Sequence, residues 1–92
     1  MNVNAEKLKV WGEAYLRGLT EAVEKDALRP SEERVYGYDV KDVPHVAGLM
    51  IAAIADHPDR VNYAGDGFRA TCRILRIKPT RKAVLEFLEV KR

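Results

Sequence analysis

Residues 66–88, DGFRATCRILRIKPTRKAVLEFL, decide how this chain reads. At about 100° per residue, Arg69, Arg73 and Arg76 fall within an arc of roughly 60° on one side of a helix. Phe68, Cys72, Leu75 and Ile77 take the other side, so the segment has an apolar face to bury and a cationic face to present. The spacing predicts a helix over 67–77 with Asp66 as its cap. Lys78-Pro79-Thr80 reads as a tight turn. Thr80 caps a further helix over 81–90, with Val84, Phe87 and Leu88 inward. Two helices joined by so short a turn form a helix-turn-helix-like hairpin.

Upstream, residues 4–25 read as a long amphipathic helix. Leu8, Trp11, Tyr15, Leu19, Ala22 and Val23 recur at three- and four-residue steps, and Asn4 is a suitable cap. Gly12 and Gly18 weaken such a helix by roughly 1 kcal/mol each, which points to close packing against another element. Residues 26–42 carry Pro30, Ser31, Gly37 and Asp39 in place of a period and are expected to wrap as one long extended loop. Asp42 caps a second helix that tolerates Pro44 in its first turn. Its run from Val46 to Ala55 is apolar on nearly every side, so it is expected at the buried centre of the fold. His57 to Gly67 connect it to the hairpin. The expectation is a single compact all-α domain over 1–92 with four helices.

Composition narrows the class of protein. Ninety-two residues hold one core, and 47% apolar with 33% charged residues is the balance of a globular chain. The net charge of +2 conceals a polarity. Residues 1–59 carry seven Lys/Arg against eleven Asp/Glu, and residues 60–92 carry nine against three. Six of those cations lie between Arg69 and Lys82 with no acid among them. Such asymmetry accompanies a docking surface for nucleic acid or for an acidic protein. The lone Cys72 reads as a buried thiol in a reducing compartment. The N-terminus lacks a signal-like apolar run, and the stretch 46–55 is too short for a bilayer, so a cytoplasmic protein without a membrane partner is expected.

Catalytic and metal-binding patterns are poor. His45 opens an apolar helix as a partly buried structural residue. Asp56-His57-Pro58-Asp59 offers ligand types without a second histidine or a cysteine nearby. Gly65-Asp66-Gly67 lacks the lysine–hydroxyl pair of a phosphate loop. No enzyme, no metal and no cofactor are expected. The candidate partner-binding residues are Arg69, Arg73, Arg76, Lys78, Arg81 and Lys82, with Tyr36 and Tyr38 as loop aromatics suited to an interface. Met by phosphates, the six cations predict a log affinity against log salt slope of about −5. Against base reading by the hairpin stand Arg76 where such motifs want glycine, Lys82 at a buried position, and Glu86 and Glu89 facing a phosphate backbone.

The tail from Phe68 to Leu88 resembles that of small, uncharacterised bacteriophage proteins, in which the pattern runs F-x-x-T-C-x-x-L-G-I-x-x-T-x-x-A-[IV]-x-x-[FY]-L. The likeness covers about a quarter of the chain and departs at Arg76, where the pattern has glycine. It implies a shared helical hairpin and a phage or prophage origin, and it carries over no binding residue. Phage origin implies a protein at work in the host cytoplasm. The jobs it implies are inhibitor or adaptor of host machinery, anti-CRISPR and other anti-defence proteins included, or small DNA-binding regulator. The expected partner is a host protein or nucleoprotein, with double-stranded DNA as the alternative. Nothing in the sequence specifies an oligomeric state.

Overall fold

A computed structural model describes residues 2–91. Asn4 leaves the helical region at φ −64°, ψ 121°, and its side-chain oxygen accepts the Lys7 amide at 3.1 Å. That cap opens α1 (Ala5–Ala27), which buries Trp11, Tyr15, Leu19 and Val23 along one stripe. A 3₁₀ turn at Ser31–Glu33 and another at Val40–Asp42 interrupt the following loop. Then come α2 (Val43–Asp56), α3 (Asp66–Leu75) and α4 (Arg81–Phe87). The all-α architecture with four helices and one long loop is as expected. Among the described residues no strand forms, at 34–40 or elsewhere; an isolated antiparallel bridge joins Asn2 to Lys91.

The helix at the centre is α1, not α2. Both α3 and α2 pack against α1. Of the fourteen residues of α2, Val43, Ala47 and Ile54 are buried, while Leu49 is 61% exposed. An apolar composition predicts that a helix has something to bury. It does not say that the chain supplies enough cover, and here only one flank is covered, by α1.

The contact between α1 and α3 is unusually close. A Cβ on Gly18 would lie 2.8 Å from the Thr71 amide nitrogen, and one on Gly67 would lie 2.9 Å from Leu19 Cδ1. Thr71, fully buried, donates its hydroxyl back to the Gly67 carbonyl at 2.7 Å, so its polar atom is satisfied inside α3. Trp11 stacks obliquely on Tyr15 and Phe68 at 6.1 and 6.2 Å and anchors the same core from α1.

Local capping closes the ends. Thr80 caps α4 by accepting the Ala83 amide at 3.1 Å. The last turn of α4 is bolted to the start of α1. The Asn4 amide donates to the Leu88 carbonyl at 3.0 Å, and the Asn4 side chain donates to Glu89 at 2.6 Å. Asp66 does not cap α3, contrary to expectation. The cap position belongs to Gly65 at φ +93°, and the Gly67 amide donates to the Tyr36 hydroxyl at 3.2 Å.

Asp26, 4% exposed, holds the loop to α1. Its two carboxylate oxygens accept the amides of Val35 at 2.9 Å and Tyr36 at 3.0 Å. Those amide hydrogen bonds, with Arg29 and Arg34 nearby, hold its carboxyl below the usual range despite burial. A depressed folded-state value adds stability that is present above the unfolded-state pKa and is lost as pH falls through the folded one. The wild type should therefore lose stability below about pH 4. Asp26→Asn should lower the urea midpoint at neutral pH and flatten that acid limb. Equal slopes in wild type and variant between pH 5 and pH 2 would remove the role assigned to this carboxylate.

Candidate functional site

Thr71 and Cys72 face inward on α3, which turns Arg69 and Arg73 outward beside the second half of α1. There they meet Lys25 and Arg29 across a cleft of about 360 Å³, with Glu21 and Asp66 at its edges. Arg73 donates to Glu21 at 2.8 Å, an exposed ion pair worth at most about 1 kcal/mol. Arg29 approaches the buried Asp26 at 3.6 Å. Among the described residues Lys25 and Arg69 have no ion-pair partner. With Arg73 paired to Glu21 and Arg29 beside Asp26, Lys25 and Arg69 supply the uncompensated positive charge of this cleft.

Lys25 and Arg29 were not legible as site residues, because they belong to the acid-rich half of the chain. Only the close crossing of α1 and α3 brings them opposite Arg69 and Arg73. The signal that pointed there was Gly18, which packs on Thr71 and Ala70 of α3; Gly12 packs on Ile51 of α2.

The remaining expected residues lie apart from this cleft. Arg81 donates to the Asp59 carbonyl, and Lys82 lies 4.0 Å from Glu86. Both line a second cleft whose walls also carry Asp59, Glu86 and Glu89, so the charge there is mixed. Arg76 and Lys78 are exposed. Tyr36 and Tyr38 are half-buried, meet edge to face at 5.8 Å and pack on the core, with the Tyr36 hydroxyl spent on Gly67. Burial raises the Tyr38 hydroxyl, and burial with its two tyrosine neighbours pushes Tyr15 up to about 12.

Cys72 is buried and both histidines are exposed. Burial pushes the Cys72 thiol up to about 11, and the side chain is 1% exposed. His45, expected as partly buried, is exposed near the start of α2, and His57 is exposed at its end. Among the described residues no three His, Cys, Asp or Glu side chains converge as metal ligands, and no helix is long and apolar enough to cross a membrane.

No protein-family model matches the chain, nor does any curated protein or solved structure.

Arg76, where the phage-like pattern has glycine, stands in left-handed backbone at φ 57°, ψ 43°. The Arg76 amide donates to the Arg73 carbonyl at 3.2 Å and the Ile77 amide to the Cys72 carbonyl at 3.0 Å. This is a Schellman ending, in which glycine is favoured because a Cβ crowds the left-handed region. Arg76→Gly should therefore raise stability by about 1 kcal/mol in urea denaturation, and Arg76→Ala should leave it nearly unchanged. A gain of equal size in both variants would assign the effect to lost charge instead of backbone strain.

Proposed function

We propose that this is a non-catalytic binding protein that seats an acidic group of a partner protein in the cleft between α1 and α3. The observation that carries the reading is the convergence of Lys25 and Arg29 with Arg69 and Arg73, which are remote in the sequence, on one cleft. Arginine is favoured at protein interfaces and forms paired hydrogen bonds with carboxylates. The two acids at the rim suit a discrete anionic group better than a continuous phosphate track, since they would face the neighbouring phosphates of a duplex.

The arrangement of α4 weighs against base reading through the hairpin. That helix is seven residues long, its two N-terminal cations contact Asp59 and Glu86, and Glu86 on its outer face and Glu89 just beyond its end add negative charge. A recognition helix needs those first-turn side chains free for base edges and phosphates. The tail's resemblance to phage proteins makes the proposed partner a component of host machinery and the protein its inhibitor or adaptor, with anti-defence roles, anti-CRISPR among them, in that class.

Nuclease-treated host lysate provides the test. Partners captured by the wild type should be lost from Arg69→Ala/Arg73→Ala and from Lys25→Ala/Arg29→Ala, with affinity falling about tenfold or more per interface arginine. Arg81→Ala/Lys82→Ala should retain them. All three variants should stay folded by circular dichroism, although each gives up a tie worth at most about 1 kcal/mol, Arg29 to Asp26, Arg73 to Glu21 and Arg81 to the Asp59 carbonyl. Retention by both cleft variants overturns the reading. So does steeply salt-dependent binding of generic duplex DNA that follows Arg81 and Lys82.

A further inference from the structure

Where the long loop meets the start of α3, the aromatic rings of Tyr15, Tyr36, Tyr38 and Phe68 wall a cavity of about 310 Å³. That volume lies at the lower end of the roughly 300–1,000 Å³ of small-ligand sites. Tyr36 and Tyr38 meet at 66°, so they form adjoining walls instead of a closed stack. Gly67 and Asp66 of α3 also line the cavity, and the exposed Asp66 is its one charged member among the described residues. The Tyr36 hydroxyl accepts the Gly67 amide, whereas that of Tyr15 makes no hydrogen bond among the described residues. Yet Tyr15 is only 7% exposed. Unlike the Trp11 indole N–H, its hydroxyl is not sealed off, and it opens on the cavity that its ring lines. Burial, with Tyr38 and Tyr36 close by, keeps it protonated and neutral at physiological pH. A hydroxyl at that depth has lost hydration without gaining a partner, and a ligand that donates to it restores the bond.

Charge and ring chemistry select the ligand. Aromatic faces carry a negative quadrupole and attract cations. An N–H donor suits the open lone pairs of the Tyr15 hydroxyl, and Asp66 supplies a full negative charge in the first turn of α3. The N-terminus of that helix opposes a cation with about half a positive charge, which the carboxylate exceeds. An anion would face both the carboxylate and the ring electrons. We infer that this cavity binds a primary alkylammonium group, carried by a lysine side chain or a free amine, with Tyr15 accepting its hydrogen bond and Asp66 balancing its charge.

NMR titration of the full chain at constant ionic strength tests it, read at the Gly67 amide and the tyrosine rings. Butylammonium chloride should shift these resonances with a Kd of about 1 mM. Uncharged 1-butanol and anionic butyrate should bind at least about tenfold more weakly. Nα-acetyl-lysine amide separates the two sources: binding as tight as that of butylammonium marks a lysine side chain, and exclusion marks a free amine. Tyr15→Phe should fold as well as wild type by circular dichroism, since the hydroxyl it removes has no partner. It should weaken butylammonium about tenfold yet leave tetramethylammonium, which has no N–H, within about twofold. Asp66→Asn should weaken both cations about threefold. Asp66 also edges the basic cleft and Tyr15 does not, so the tyrosine variant tests this cavity apart from the proposed function. Unmoved Gly67 and tyrosine resonances up to about 50 mM butylammonium overturn the inference. So does equal binding of 1-butanol or butyrate, or a butylammonium affinity unchanged in Tyr15→Phe.

Discussion

The contact of Gly18 with the backbone of Thr71 sets the distance between α1 and α3, and the rest of the molecule is arranged around it. With a hypothetical Cβ only 2.8 Å from the Thr71 nitrogen, any side chain at position 18 would push the two helices apart. Thr71 can be fully buried at that crossing because its hydroxyl is satisfied one turn back, at Gly67. Close approach also brings Phe68 and Cys72 onto the stripe of Trp11, Tyr15 and Leu19, and these five are among the eleven buried residues of the core. Among the described residues no acceptor meets the buried indole N–H of Trp11, a cost of about 1–3 kcal/mol that this packing must offset.

The same crossing shapes both surfaces of the protein. One turn beyond Gly18, the small residues Ala22 and Ala70 line the cleft between the helices, and the cations flanking them face each other across it. On its other side α1 meets α2 at Gly12, where a Cβ would lie 3.0 Å from Ile51 Cδ1, and the outer face of α2 is left open at Leu49. A single central helix in a chain of this size can cover one face of each neighbour and no more. The exposed apolar flank of α2 and the basic cleft are two consequences of that geometry.

Much of this was legible in the sequence, and the failures have a common physical cause. The periods of α1 and the hairpin, and the caps at Asn4 and Thr80, are local interactions between residues three or four apart. Local spacing suffices to read them. The position of α2 was misjudged because hydropathy records how apolar a segment is and not how much of it the remaining chain can cover. The cap of α3 was assigned to Asp66, whereas its amide partner is Tyr36, thirty-one residues earlier. Lys25 and Arg29 were hidden in the same way, since their partners across the cleft lie about forty residues downstream. The row Arg69, Arg73 and Arg76 was read correctly as outward-facing, but only Arg69 and Arg73 line the cleft. The loop expected over 26–42 begins only after Ala27, where α1 ends, and its anchor, the buried carboxylate of Asp26, was not foreseen because it depends on two amides brought back to it by the chain's return.

Urea denaturation of Gly18→Ala tests the central contact most directly. In a helix without neighbours, replacing glycine by alanine stabilises by roughly 0.5–1 kcal/mol. At this crossing the added methyl meets the backbone of α3, and overpacking of that kind costs about 1–3 kcal/mol. An unfolding free energy lowered by an amount in that range is the predicted result; one raised by about 1 kcal/mol would mean that α1 and α3 are not in backbone contact and would contradict the account.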